Sequence, residues 1–260
     1  MLARIRAAWR APDGFKRLKD FIFAKALFSL PPGVRRQLFA GEERYCPLCQ
    51  SRLERFLAIQ RLYHLFCPVC RSLQRHRLVW LLLEQGGWLD HPPGERLKLL
   101  HFAPEACLEE RFRRAPGVDY LSADLYDRRA MVRADIVAMQ FESETFDLVF
   151  CSHVLEHVPE DRKAINELSR ILKPGGKAVI LVPIRGEETD EDPAISDPVE
   201  RERRFGQLDH VRSYGMDILQ RLERAGFSVR ALSAASLEMR PQELERMGLE
   251  AADIVFICRK

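Results

Sequence analysis

The sequence predicts an α/β fold built on a mostly parallel sheet, with a small cysteine-rich module ahead of it. Three observations carry this expectation. Residues 146–151 (FDLVFC) and 178–182 (AVILV) are short apolar runs without alternation, as in strands buried on both faces. Between them Ile165, Leu168, Ile171 and Leu172 recur at helical spacing, and Lys173-Pro174-Gly175-Gly176 offers a cationic last turn, a stop and a tight reversal. Upstream stand two Cys-x-x-Cys pairs, Cys46-Pro-Leu-Cys49 and Cys67-Pro-Val-Cys70.

Residues 1–45 carry ten Lys or Arg residues, from Arg4 to Arg44, against four acids. Within them Phe15, Leu18, Phe21, Ile22 and Ala26 form an apolar stripe at helical spacing that Pro31-Pro32-Gly33 ends. Such a basic amphipathic segment docks on its own protein, lies on an anionic membrane surface or touches RNA. Residues 46–71 hold the four cysteines, at a spacing that suits one tetrahedral ion held by two knuckles. Four thiolates close the coordination shell, so the expected Zn2+ is structural, although the same donors also suit iron. His64 and His76 are near enough in sequence to replace a thiolate, but four cysteines already suffice.

Residues 72–94 read as a linking helix closed by Gly86-Gly87 and Pro92-Pro93-Gly94. The larger domain, 95–260, then alternates strands at 97–102, 119–122, 133–137, 146–151 and 178–182 with helices such as 106–114. It closes with a helix near 216–225 and strands near 227–232 and 253–258. At 260 residues and 47% hydrophobic, the chain can bury one large core beside a small module. A net charge of +3 from 41 basic and 38 acidic residues excludes a uniformly basic surface. No apolar run reaches the roughly 18 residues of a membrane span and no signal peptide is evident, so the cytoplasm is the expected compartment.

The segment FDLVFCSHVLEH, with LKPGGKAVILVP after it, closely resembles class I S-adenosylmethionine (SAM)-dependent methyltransferases. The resemblance spans roughly residues 97–260. It implies a Rossmann-like seven-stranded sheet whose last strand turns antiparallel, preceded here by a zinc-ribbon-like module. It places the cofactor at the carboxyl ends of the strands. Asp124 would then accept from the ribose hydroxyls, and Asp135 from the adenine amino group. Leu125, Ile136 and Ser152 lie alongside. The first loop departs from the family's glycine-rich pattern and reads His101-Phe102-Ala103-Pro104-Glu105. It resembles a branch with HFAPE at this place, in which His101 and Ala103 line the cofactor and Glu105 accepts from its ammonium group.

Methyl transfer from a sulfonium needs a nucleophile in line with the methyl carbon and often a base. His153 stands at the strand end where the methyl should lie. Asp209, His210 and Tyr214 concentrate polar chemistry in the segment 205–215. His153-Val-Leu-Glu-His157 also spells the HxxEH of inverted metalloproteases, but it follows a buried strand directly, where no long helix is expected, and His157 reads as a packing residue. The expected activity is methyl transfer to an O or N nucleophile of a small molecule or glycan precursor. The alternatives are an rRNA or tRNA base methyltransferase and a non-catalytic zinc adapter whose sheet has lost its cofactor.

Overall fold

The computed structural model describes residues 25–58, 65–249 and 253–260. They fall into two units: 1–82 with 238–250, and 83–237 with 251–260. Apart from Ala26, the expected apolar stripe lies outside the described residues, as does His64.

In the first unit, Pro32 at the first helical position starts α1 (Pro32–Leu38), where a missing N–H costs nothing. β1 (Ala40–Cys46) and β2 (Ser51–Leu53) form an antiparallel hairpin whose turn contains the first Cys-x-x-Cys pair. β3 (Leu57–Ala58) pairs with β4 (Leu65–Phe66), and the second Cys-x-x-Cys pair follows at once. Then comes α2 (Gln74–Gln85), within the expected linking segment 72–94. The unit also takes in residues 238–250, which no sequence signal assigns to it. Arg77, fully buried, fastens them: its guanidinium donates to Ser72 O at 3.0 Å, Met247 O at 2.7 Å and Gly248 O at 3.1 Å, and lies 4.1 Å from the Phe56 ring.

The second unit is built on β5 (Leu97–Phe102), α3 (Ala106–Arg114), β6 (Val118–Asp124), β7 (Val132–Arg133), β8 (Phe146–Ser152), α4 (Asp161–Ile171) and β9 (Leu172–Leu181). It continues with β10 (Asp190–Glu191), α5 (Pro198–Phe205), β11 (Arg212–Ser213), α6 (Ile218–Arg224), β12 (Ser228–Leu232) and β13 (Val255–Arg259). Its seven-stranded sheet has the order β12-β13-β9-β8-β5-β6-β7. β5 to β9 that share this sheet pair in parallel, and β13 runs antiparallel to both β9 and β12. This is the expected Rossmann-like sheet with its last strand reversed.

The apolar runs explain the layering. In β8 every residue but Asp147 is buried, so both faces of the strand are covered. α4 buries Ala164, Ile165, Leu168 and Ile171 in the core that β8 and β9 also line. α3 packs on β6, while α4 packs on β9 and α6, and α6 on β12. Two expectations are corrected. The Pro174-Gly175-Gly176 stretch is not a reversal: Leu172 already pairs with Phe146, and the glycines form an irregularity inside β9. There Gly175 has φ +78°, and a Cβ on Gly176 would meet Lys173 O at 2.9 Å, so a side chain fits at neither. The third strand is only Val132–Arg133, because Asp135 and Ala138 turn the chain through an Ala138 N–H to Asp135 O bond.

Candidate functional site

Chain order leaves β5 outward to β6 and β7, then returns on the other side of β5 with β8. The carboxyl ends of β5 and β8 thus form a topological switch point, where open α/β sheets bind their ligands. Both strands end in a left-handed residue that is not glycine: Ala103 at φ +48° and His153 at φ +53°. Ala103 N–H donates to Ala123 O at 2.9 Å, which holds the loop after β5 against the end of β6. Its conformation is the one a glycine-rich loop adopts without strain, so the glycine-free loop keeps the shape through its bonds.

His101 is fully buried among Phe112, Tyr120 and Phe150. The Glu105 carboxylate only accepts, so His101 Nε2–H donates to its Oε2 at 2.8 Å. The Tyr120 hydroxyl, whose pKa burial raises, lies 3.1 Å from His101 Nδ1. His101 therefore acts on the site through Glu105, and its own ring is sealed from it. Asp124, at the end of β6, accepts from Tyr126 and Asp127 N–H, both at Oδ1, at 2.6 and 2.7 Å. Leu125 follows, half-buried. Asp135 is exposed and accepts from Val137 N–H at 3.1 Å, with Ile136 buried beside it. Ser152, the last residue of β8, is buried and its Oγ has no partner. Two carboxylate acceptors at neighbouring strand ends and an orphaned hydroxyl at the switch point fit a nucleoside that offers hydroxyl and amino donors.

The turn after β8 is a single 3-10 turn, Leu155–His157, not the long helix of a metalloprotease. Glu156 in it is fully buried, and its Oε1 accepts from His153 Nδ1 at 3.0 Å. The carboxylate thereby leaves His153 Nε2 as the basic nitrogen. The segment 205–215 closes over this turn. Arg212 donates to the carbonyls of Leu155, Val158 and Pro159, Val211 N–H donates to Glu156 O, and His157 Nδ1 lies 3.3 Å from Asp209 O. His210 stands edge-on to His157, with ring centroids 4.7 Å apart. Burial lowers its pKa, so the ring is neutral and its Nδ1–H donates to Phe205 O at 3.1 Å.

Of the four residues expected near the acceptor, His153, Asp209 and His210 gather around Glu156 and His157, but Tyr214 does not join them. Its buried hydroxyl donates to Asp161 Oδ2 at 2.7 Å inside an ion network of Asp161, Glu191, Arg212 and Arg221. Burial raises the Tyr214 pKa well above its ordinary value, which suits a fixed donor. Glu156 was the residue that sequence reasoning passed over. Its signal was its place three residues after a strand-end histidine.

In the first unit the four cysteines are free of disulfides, and their sulfurs lie within 4.8 Å of one another. Cys46 and Cys70 sulfurs are 3.6 Å apart, as are those of Cys49 and Cys67. A tetrahedron with Zn–S bonds of about 2.3 Å has edges of about 3.8 Å, so the cluster has the size of a zinc site. Ser72 Oγ accepts from Cys70 Sγ at 3.2 Å and lies 3.3 Å from Cys46 Sγ, and Ser51 Oγ accepts from Cys49 Sγ at 3.2 Å. The residue after each pair, Gln50 and Arg71, has φ of +53° and +68°, which closes each knuckle without glycine. His76 is outside the cluster and accepts from Leu73 N–H at 3.2 Å at the start of α2.

Residues 103–180 match the family model described as a methyltransferase domain. That segment, which runs from Ala103 after β5 through β8 and most of β9, is thus similar to a methyltransferase domain. Among curated proteins, the chain is 34% identical over 73 residues to a sterol 4-C-methyltransferase of Caenorhabditis elegans, covering 28% of this chain and 22% of the relative. It is 33% identical over 113 residues to a ubiquinone/menaquinone biosynthesis C-methyltransferase of Cereibacter sphaeroides, covering 36% and 44%. A phosphoethanolamine N-methyltransferase of C. elegans is 36% identical over 59 residues, covering 22% and 14%. The chain thus spans less than half the length of these relatives. Among solved structures, a SAM-dependent methyltransferase from Mesorhizobium loti shares 17% identity over 70% of this chain and 97% of its own, at a TM-score of 0.47. One from Archaeoglobus fulgidus shares 15% identity over 72% and 94%, at 0.48.

Proposed function

We propose that the protein is a SAM-dependent methyltransferase acting on an O or N nucleophile of a small molecule or glycan precursor, with a structural Zn2+ on Cys46, Cys49, Cys67 and Cys70. The observation that carries this reading is the switch point between β5 and β8, where a glycine-like Ala103 turn, Asp124, Asp135 and the unpartnered Ser152 hydroxyl stand together with His153. SAM, when bound, supplies a methyl group on a sulfonium. Asp124 would accept from the ribose hydroxyls and Asp135, beside Ile136, from the adenine amino group. Glu105, held by His101, would accept from the ammonium group. His153 Nε2 then takes the proton of an acceptor hydroxyl or amine, with Glu156 stabilising the imidazolium that forms.

The named relatives include both C- and N-methyltransferases, so the acceptor atom is our reading from the histidine base. Calorimetric titration with SAM and with its demethylated product tests the cofactor site. Binding to the wild type that Asp124→Ala abolishes supports the reading. A folded wild type that binds neither compound removes it and favours a zinc adapter. His153→Gln, which keeps a polar side chain, should lower kcat while leaving SAM affinity unchanged.

A further inference from the structure

Among the described residues, one group besides the four cysteines brings ligand atoms together. Glu156, His157 and His210 each offer an atom within 4.8 Å of the other two. Hydrogen bonds already account for half of their polar atoms. Glu156 Oε1 is taken by His153, His210 Nδ1 by Phe205 O, and His157 Nδ1 faces Asp209 O. What remains is unsatisfied: Glu156 Oε2 and His210 Nε2 have no partner, although Glu156 is fully buried and His210 is 4% exposed. A buried carboxylate oxygen and a buried ring nitrogen left bare are each unfavourable, so their pairing in one place calls for a cation. Both histidines also have the support that metal-binding imidazoles use. A carbonyl at Nδ1 fixes the proton there and turns the Nε2 lone pair outward.

We propose that Glu156, His157 and His210 bind a divalent transition-metal ion through Glu156 Oε2 and the two Nε2 atoms, at the carboxyl end of β8 and apart from the cysteine cluster. Two imidazoles with one carboxylate favour Zn2+ and its transition-metal neighbours over Mg2+, which prefers oxygen donors. Three protein ligands leave a coordination position open. In the use of that position, which rests on the methyl-transfer reading, an acceptor oxygen binds the ion and loses its proton to His153 more readily. His153 then serves twice, as the base and as the residue that orients the ligand carboxylate.

The test is ion binding by the full, tag-free chain, stripped of metal and titrated with Zn2+ and then with Co2+. Co2+ at thiolates absorbs strongly in the near ultraviolet by charge transfer, whereas a nitrogen–oxygen site gives only weak visible bands, so the two sites report separately. The expected result is a second ion, beyond the one at the cysteines, whose affinity falls at least about tenfold in His157→Gln and in His210→Gln. His157 is half-buried, so its variant should fold even where a change at His210 does not. Saturation with the cysteine-bound ion alone would overturn the proposal, as would a second ion indifferent to His157→Gln. The titration needs no SAM, so its failure leaves the methyl-transfer reading intact, and failure of SAM binding leaves the ion site intact.

Discussion

Replacing Arg212 with methionine keeps the length of the side chain and removes its charge. Arg212 is 4% exposed and donates to Leu155 O at 3.0 Å, to Val158 O and to Pro159 O at 2.9 Å, while its Nε reaches Glu191 Oε2 at 2.8 Å. Three carbonyls of the turn after β8 would lose a cationic donor at once. At about 1.5–3 kcal/mol for each bond to a charged group, their sum is about 4.5–9 kcal/mol. Water can reach the exposed Pro159 and the half-buried Val158, which returns part of that sum. The cost of breaking a buried ion pair, about 3–5 kcal/mol, is therefore the better figure. At about 2–4 °C per kcal/mol for a unit of this size, Tm should fall by about 6–20 °C. Arg203 is the control. It pairs with Glu200 on the surface, with 75% of its side chain exposed, so Arg203→Met should stay within about 0.5 kcal/mol of the wild type. Urea and thermal unfolding followed by circular dichroism measure both. An Arg212→Met protein within about 1 kcal/mol of the wild type would refute the claim that this side chain clamps the turn.

Glu191 gives a pH dependence. The Arg221 guanidinium, aided by Arg212 and opposed by burial, holds its pKa at about 2 against an ordinary 4.5. A lowered carboxyl pKa contributes stability that is complete above about pH 4.5 and fades as the pH falls toward about 2. That shift is worth about 3 kcal/mol, screened to about 1–2 kcal/mol because 37% of the side chain is exposed. Glu191→Gln should flatten this limb of the acid-unfolding curve, and parallel curves would count against it. Removing metal with a chelator, or making Cys67→Ser, should unfold the first unit while the sheet keeps its circular dichroism; a first unit still folded without metal would rule out a structural ion. Ala103→Gly should stabilise the protein by up to about 1 kcal/mol with SAM affinity kept, and Ala103→Val should destabilise it, as measured by urea unfolding and calorimetry.

Much of the sheet was legible because strands buried on two faces leave unbroken apolar runs. β5 and α3 fall on the expected residues, and β8 differs from expectation by one. The knuckles were legible because a four-thiolate site constrains spacing. The return of residues 238–250 to the first unit was not, since Arg77 holds them by two carbonyl bonds, and no periodic pattern announces a side chain that reaches across more than 160 residues. The segment 205–215 concentrates polar side chains, and the structure divides them: Arg212 and Tyr214 spend their polar atoms on the turn and on Asp161, while Asp209 and His210 reach the histidine cluster. A polar-rich loop looks the same in sequence whether its donors face a ligand or a backbone.

The conformations at the sites were the least legible feature, and the reason is physical. The described residues include five non-glycine positions with positive φ, and four of them are Gln50, Arg71, Ala103 and His153. Two close the cysteine knuckles and two end the strands of the switch point. A left-handed backbone costs an L-residue about 1–2 kcal/mol, and a sequence ordinarily announces it with glycine. Here glycine is missing from each of these places, so the missing glycines that argued for a degenerate cofactor loop have a second meaning. The strand-end turn is kept by the Ala103 N–H to Ala123 O bond after β5, and by the His153 N–H to Leu181 O bond after β8. Strain held by such bonds at a ligand crevice fixes its groups before any ligand arrives. Relaxing either turn would break its bond to the neighbouring strand, so the missing glycines do not by themselves mark the turn after β5 as degenerate.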